Sequence, residues 1–355
     1  MFIPRPATTP LATSAPKSLR FAIFSAGIFL FLAAILAVVP LASAQLPVQV
    51  TPPPPPGQTP VPPQKQEGGS RIKIDVSLVV LHTTVVDDRG RFAEGLKQEN
   101  FRVLEDKVEQ KLSVFKREDV PVSFGLVIDN SGSMRDKRER VNAATLTFVR
   151  TSNPQDEGFV VNFNDDFYLD MDKDFTSNIN EMKEALERID SRGSTALRDA
   201  VIGSLDHLKK GTRDKKVLLV VTDGEDNASR KTMEETLKIV QSSDAVIYTI
   251  GLLSEESKKS AKRARRALQE LSQSTGGLAF FPENVQDVES ICGQIAHDIR
   301  NQYTLAYYPT NTRRDGTFRT VQVAVTPPQG RGKLIARTRT GYYAPTATSS
   351  ARGEH

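Results

Sequence analysis

The sequence predicts an α/β protein in which a doubly wound, mostly parallel sheet is inserted into a small β-sandwich-like domain formed by both flanks of the chain. Two observations support this fold class. Residues 121–300 alternate short apolar runs with amphipathic stripes, which is typical of a parallel sheet with helices on both faces. Residues 71–120 and 301–344 alternate apolar and polar side chains, which indicates antiparallel strands.

The elements of the central region follow from their side-chain patterns. Continuous apolar runs predict buried strands at residues 124–128, 159–163, 217–221, 245–251 and 278–281. Apolar residues at helical spacing predict helices, one of which begins near Arg135. The stripes are Val141 and Phe148; Ile179, Met182, Leu186 and Ile189; Leu197, Val201, Leu205 and Leu208; Ala261, Ala264, Leu268 and Leu271; and Val288, Cys292, Ile295 and Ile299.

The two β flanks are predicted to pack against each other. In residues 71–120 the alternation runs from Ile72 to Val80, stops at Asp88, and resumes on both sides of Glu105. In residues 301–344 it begins at Tyr303 and continues beyond a turn. Neither block has enough strands to be stable by itself, so we expect one domain built from both ends.

The N-terminal residues 1–44 are predicted to be a signal peptide. An uncharged apolar run at residues 21–39 follows Lys17 and Arg20 and precedes Ala42-Ser43-Ala44, a small-residue cleavage pattern. The alternative is an uncleaved anchor, because the run is nearly long enough to span a bilayer. Both interpretations export the rest of the chain. Residues 45–70 are rich in proline and predict a disordered linker, and residues 345–355 predict a disordered tail.

The charge of the chain argues against a nucleic-acid partner. Its formal net charge is +4, but three cations and no acids fall within residues 1–44, so the remainder carries only +1. That value gives no overall attraction to a polyanion. We therefore expect no nucleic-acid partner, and membrane contact only through an uncleaved N-terminal segment. The single cysteine, Cys292, cannot form an internal disulfide and fits a core position.

Five oxygen-bearing side chains are placed to form one metal site. Asp129 ends an apolar run, and Ser131 and Ser133 follow it; Asp223 lies just past another run, and Thr195 precedes a helical stripe. In an open parallel sheet, ligands bind beyond the carboxyl ends of the strands, where the strand order reverses. We therefore expect these five side chains to meet at that edge.

The donor chemistry predicts Mg²⁺, or Mn²⁺, in this site. Carboxylates and hydroxyls without imidazole or thiolate suit a hard cation, and the small number of carboxylates favours an ion that keeps waters. Taken singly, each residue has an ordinary explanation: Ser131 and Ser133 as helix caps, Thr195 as the next N-cap, and Asp223 as a turn residue. Their conjunction at strand ends favours the metal.

These segments resemble the metal-ion-dependent adhesion site of von Willebrand factor type A domains. The resemblance covers about residues 122–300, and its motifs are Asp129-x-Ser131-x-Ser133, Gly193-Ser194-Thr195-Ala196-Leu197 and Thr222-Asp223-Gly224. The flanks further resemble the exported VWFA-related Acidobacterial domain family. The stretches that carry this second likeness are residues 99–103, 118–134, 303–309 and 341–343. One departure is Lys107, which follows Asp106 where a turn glycine would be usual.

The resemblance implies a six-stranded, Rossmann-like sheet and a role for each candidate residue. Asp129, Ser131 and Ser133 would be the first-loop ligands, Thr195 would bind directly or through water, and Asp223 would act through water. A carboxylate from another protein would fill the open coordination position. The resemblance thus implies an exported, non-catalytic adhesion or scaffolding module, with a structural envelope protein and, least favoured, a metal-dependent hydrolase as alternatives.

Two further signals have plainer interpretations. Asp170, Asp172 and Asp174 imitate the spacing of a calcium loop, but Phe175 occupies the position that needs glycine, so we expect an acidic turn. The cations between residues 258 and 266 fit the solvated face of a helix. No G-x-S-x-G sequence occurs, and the histidines show no triad or metal spacing, which argues against an enzyme.

Overall fold

A computed structural model describes residues 78–117, 119–151, 153–188 and 191–346. The predicted signal peptide and linker lie outside the described residues, as do residues 71–77 of the first β flank and residues 347–355 of the tail. Glu118 and Ile189 are also outside them. Of the helices within the described ranges, none is long and apolar enough to cross a membrane.

The described residues form fourteen strands and six helices. The strands, in chain order, are β1 (Val79–Asp87), β2 (Phe101–Glu105), β3 (Val108–Gln110), β4 (Leu112–Lys116), β5 (Val122–Asp129), β6 (Glu157–Phe163), β7 (Phe167–Leu169), β8 (Lys215–Thr222), β9 (Val246–Gly251), β10 (Ala279–Phe280), β11 (Tyr303–Tyr307), β12 (Phe318–Val325), β13 (Leu334–Arg337) and β14 (Gly341–Tyr343). The helices are α1 (Arg138–Arg150), α2 (Ile179–Glu187), α3 (Leu197–Leu208), α4 (Met233–Ser242), α5 (Lys258–Thr275) and α6 (Val288–Arg300).

The central sheet confirms the predicted doubly wound α/β fold. Its six strands lie in the order β10-β9-β8-β5-β6-β7, and all neighbours are parallel except the edge strand β7. Alternate residues of β5 explain how both faces are covered. Phe124 belongs to a core cluster shared with α1, α2 and α6. Val127 belongs to a second cluster shared with α3, α4 and α5. Strands that are buried on both faces need continuous apolar runs, as the sequence has.

The flanking strands form two antiparallel sheets of four strands, in the orders β13-β1-β11-β4 and β14-β12-β2-β3. Strands from both ends of the chain share each sheet. Buried residues of the two sheets belong to one apolar cluster, in which Leu81 and Leu305 of the first sheet join Val103 and Val323 of the second. This arrangement is the predicted β-sandwich-like packing of the flanks. The domain boundaries at residues 120 and 300 remain predictions.

The turn between β2 and β3 keeps its geometry despite its lysine. Glu105 pairs with Val108, so only two residues, Asp106 and Lys107, form the loop. Both have a positive φ, +47° and +69°, as a type I′ turn requires. Asp106 compensates in part, because its Oδ1 accepts hydrogen bonds from the Thr320 backbone amide (2.8 Å) and hydroxyl (2.9 Å).

Candidate metal site

The topology brings the ends of β5 and β8 together. The two strands are parallel neighbours, with Ile128 opposite Val221, so Asp129 and Thr222 end them side by side. The chain leaves β5 for β6 on one side and later returns to β8 on the other, which makes this the place where strand order reverses. Ligands of open α/β sheets bind at such a point.

Asp129 is buried, and both of its carboxylate oxygens accept hydrogen bonds. Oδ1 accepts the Ser131 amide at 2.8 Å, and Oδ2 accepts the Thr222 hydroxyl at 2.5 Å. Burial raises the pKa of Asp129 to about 6, with a smaller contribution from the charge of Asp223, while the hydrogen bonds oppose the rise. A cation bound here would therefore offset a real cost of burying this carboxylate.

The two serines of the first loop connect it to Asp223. Ser131 Oγ lies 3.2 Å from Ser133 Oγ, and the Ser133 hydroxyl donates to Asp223 Oδ1 at 2.8 Å. A short 3₁₀ turn, Gly132–Met134, follows Ser131, and no side-chain hydrogen bond caps it. The structure thus brings Asp129, Ser131, Ser133 and Asp223 into one hydrogen-bonded group and removes the capping explanation for Ser131.

Thr195 lies in the adjoining loop. The backbone amide of Gly132 donates to Gly193 O at 3.2 Å, which holds this loop against the first one. The Thr195 amide donates to Asn227 Oδ1 at 2.9 Å, and its carbonyl accepts the Asn227 amide at 3.0 Å. The residue is buried, but the N-cap of α3 is Ala196, so its hydroxyl is not used in capping.

Gly193 is required by the close approach of a neighbouring loop. Its φ is +75°, and a Cβ there would lie 2.2 Å from Asp165 Oδ2. Asp165 also accepts the Ser194 amide at 2.9 Å. The glycine of the Gly193-Ser194-Thr195 segment therefore lets two loops meet beside the site.

A lysine that sequence analysis missed enters the site. The Lys137 ammonium donates to Asp223 Oδ2 at 2.8 Å and lies 2.7 Å from Glu255 Oε2. Burial acts to lower the pKa of Lys137, but its hydrogen bonds to the two carboxylates outweigh that effect and raise it. The first helix begins at Arg138 rather than near Arg135, and Lys137 lies just before it. No local sequence signal relates Lys137 to a residue eighty-six positions away.

Two other side chains support the first loop. The Thr222 hydroxyl orients Asp129, a role that its position directly before Asp223 did not reveal. The buried Arg138 guanidinium donates to Asp129 O at 3.1 Å and to Leu186 O at 3.0 Å, so it fixes the backbone where β5 ends. Burial lowers the pKa of Arg138 to about 10.

The residues present fit a hard metal ion. Two carboxylates and three hydroxyls are the donors, and Mg²⁺ with retained waters needs few protein ligands. Within the described ranges, no group of three or more His, Cys, Asp or Glu side chains is placed to hold a metal. Asp129 and Asp223 would supply the negative charge. The bound ion would offer an open coordination position to an oxygen ligand from outside the domain.

The three aspartates whose spacing imitates a calcium loop do not form one site. Asp170 accepts from Asn162 at 2.7 Å, Asp172 pairs with Arg188 at 3.2 Å, and Asp174 pairs with Lys210 at 3.0 Å. Their carboxylates thus have separate partners. His207 stacks on Phe175 and His297 lies beside Phe92, so both make packing contacts.

Comparison with protein families agrees with this geometry. The sequence profile described as von Willebrand factor type A domain matches residues 124–225. This segment contains all five candidate residues, most of β5 and the whole of β8. The chain contains a von Willebrand factor type A domain. A search of curated protein sequences finds no match. The finer resemblance to the Acidobacterial family remains a prediction.

Solved structures share the A-domain fold at a distance. The A domain of the type V pili tip protein Mfa5 from Porphyromonas gingivalis is 12% identical, with a TM-score of 0.43 over 51% of this chain and 95% of that chain. A von Willebrand factor type A protein from Catenulispora acidiphila is 13% identical, with a TM-score of 0.45 over 71% and 74%. The proximal thread matrix protein 1 of the mussel byssus, with a zinc-occupied adhesion site, is 18% identical, with a TM-score of 0.44 over 54% and 48%.

Proposed function

We propose that this protein is an exported, non-catalytic adhesion or scaffolding module that binds a protein partner through Mg²⁺ in a metal-ion-dependent adhesion site. The observation that carries the proposal is the hydrogen-bonded group of Asp129, Ser131, Ser133 and Asp223 at the carboxyl edge of the sheet. Such an edge accepts ligands from outside the domain. Export rests on the predicted signal peptide.

The partner would contribute an acidic side chain. An ion held by only two carboxylates keeps a local positive field, and a carboxylate from another protein can fill its open position with a charge-assisted contact. Thr195 would bind the ion directly or through water, because its loop lies beside the first loop and is held there by Asn227. Mn²⁺ has the same preference for oxygen donors and is the second candidate ion.

A structural envelope protein is the alternative function. It is favoured by the contacts of Asp223 with Ser133 and Lys137, because these already join the loop after β8 to the loop after β5, and a bound ion would strengthen that connection. In that case the metal would only stabilise the fold, and no partner would depend on it.

Capture of envelope proteins on the immobilised full-length chain separates the two functions. We expect bound proteins that Mg²⁺ retains and a chelator releases, and Thr195→Ala should reduce their capture. Thr147→Ala, which removes the hydroxyl of a half-buried threonine on α1, is the matched control and should leave capture unchanged. Mg²⁺ binding without any metal-dependent capture would favour the structural alternative.

A further inference from the structure

A large cavity lies at the edge of the central sheet opposite the metal site. Its volume is about 1050 Å³, and it is lined by the segments that precede β5, β8 and β9 and by the facing residues of β1, β4 and β11. Those segments are at the amino ends of parallel strands, whereas Asp129 is at a carboxyl end. The cavity is therefore separate from the candidate metal site.

The lining of this cavity is strongly basic. Among the described residues that line it, Lys and Arg number eight and Asp numbers two, namely Lys116, Arg213, Lys215, Lys216, Arg313, Arg314, Arg319 and Arg339 against Asp214 and Asp244. We call this the basic cavity. The rest of the chain has almost balanced charges, so this concentration is local. The cations come from segments that are far apart in sequence, unlike the cations on the solvated face of one basic helix.

Three of these eight cations donate to carbonyl groups rather than to acids. Lys216 Nζ donates to Gly211 O at 2.5 Å, Arg339 donates to Gln241 O at 2.6 Å, and Lys215 donates to Ile299 O. Arg319 differs, because it lies 3.5 Å from Glu105 Oε1. Carbonyl contacts satisfy hydrogen bonds but leave the positive charge in place.

Arg319 also arranges the wall of the basic cavity. Its guanidinium donates to the carbonyl oxygens of Asn311 and Arg313, which fixes the loop that carries Arg313 and Arg314. Both of those arginines are exposed. The fixed loop presents two guanidinium groups, each able to make a bidentate contact with a phosphate or carboxylate.

Several polar groups in the lining lack a counterpart. Within the described ranges, His82 Nδ1 and Arg213 Nε are shielded from solvent without a hydrogen-bond partner. Burial lowers the pKa of Lys215 to about 7, and the pKa of His82 to about 3 with contributions from Lys215 and Arg339. His82 is therefore neutral near pH 7, and a positive charge on Lys215 is costly unless an anion lies nearby, a cost that Asp298 offsets only in part.

We propose that the basic cavity binds a small organic molecule that carries two or more phosphate or carboxylate groups. The volume is at the upper end of the range for small-ligand sites. A single inorganic anion would leave most of the cations unpaired, whereas Val80, Val114 and Tyr342 offer apolar contacts for an organic body. Residues 45–77 contain three cations and only two acids, Glu67 and Asp75, so their sequence has no excess of negative charge.

Calorimetric titration of the full-length protein tests this site. Fructose 1,6-bisphosphate and tricarballylate are the phosphate and carboxylate probes, and an octaglutamate peptide represents an acidic protein segment. We expect saturable binding of one small probe at one site per chain. The double variant Arg313→Ala/Arg314→Ala should weaken that binding about tenfold or more, because it removes two charge-assisted contacts. The double variant Lys258→Ala/Lys262→Ala makes the same charge change at exposed positions of α5 and is the control. It should leave the binding of the probe unchanged.

Three results would overturn the proposal. The first is no saturable binding of either small probe, which is also the result expected if part of this chain fills the cavity. The second is equal weakening in both double variants, which would mean that only net charge attracts the probe. The third is tighter binding of octaglutamate than of both small probes, which would make the cavity a docking surface for an acidic protein segment.

Discussion

At the scale of single residues, Lys137 opposes the metal that Asp129 and Asp223 would hold. Its ammonium lies 2.8 Å from Asp223 Oδ2, close enough to repel a cation bound to that carboxylate. In the metal-free protein this contact stabilises Asp223. When Mg²⁺ binds, the same positive charge becomes a cost, because two cations then compete for one carboxylate.

Lys137→Met should therefore strengthen Mg²⁺ binding, by roughly three- to tenfold, because it removes a like charge close to the ion. Isothermal titration with Mg²⁺ measures the change. Lys258→Met removes an exposed lysine from α5 and should leave the affinity unaltered. Unchanged or weaker binding in the Lys137 variant would mean that the lysine organises the site more than it repels the ion.

At the scale of elements, the two-residue turn between β2 and β3 contains avoidable strain. Lys107 has φ +69°, a conformation that costs a residue with a Cβ about 1–2 kcal/mol. Lys107→Gly removes that cost, although glycine also loses more backbone entropy on folding. We expect a net gain in the free energy of unfolding of about 0.5–1 kcal/mol, measured by chemical denaturation.

Lys111→Gly provides the matched control for the turn. Lys111 is also exposed and follows β3, but it is not among the described residues with a positive φ. The same substitution there should lower the free energy of unfolding, because only the entropic cost of glycine remains. A loss of stability in both variants would show that the turn lysine is not strained.

The elements also show how much the sequence could predict. Strands β5 and β8 were predictable because both of their faces are buried, which requires continuous apolar residues. Strand β7 was missed because its residues Phe167, Tyr168 and Leu169 are 38%, 44% and 39% exposed and have no alternation. Helix α4 was missed although Met233, Leu237 and Val240 recur at helical spacing and the capping box of Thr232 with Glu235 marks its start.

The site was predictable for a different reason. Asp129, Ser131, Ser133 and Asp223 lie directly after apolar runs, so their positions follow from the strands that precede them. Lys137 and Asn227 were not predictable, because their partners Asp223 and Thr195 are distant in sequence and no periodic pattern relates them. Long-range side-chain contacts depend on the register of strands, which the local sequence does not encode.

At the scale of the whole molecule, the β flanks depend on each other. Strand β1 lies between β11 and β13, and β2 lies between β3 and β12, so two strands from the N-terminal flank have their main partners after residue 300. Buried Leu81 and Val103 would lose their neighbours in the shared apolar cluster without the C-terminal strands.

Deleting residues 303–355 should therefore unfold the N-terminal flank as well. Limited proteolysis followed by mass spectrometry should detect new cleavage within residues 79–116. Deleting only residues 347–355 is the control and should leave this region protected. Protection of residues 79–116 in the longer deletion would show that the flank folds without its predicted partner strands.

The metal is the central claim, and Mg²⁺ titration of Asp129→Ala tests it most directly. Loss of the buried carboxylate should weaken Mg²⁺ binding by more than the ~10–100-fold typical of an outer-shell partner. Asp172→Ala removes an exposed carboxylate and should bind Mg²⁺ like the unaltered protein. Circular dichroism should show that both variants stay folded. Equal Mg²⁺ affinity in the Asp129 variant and the unaltered protein would contradict the site and the adhesion function proposed from it.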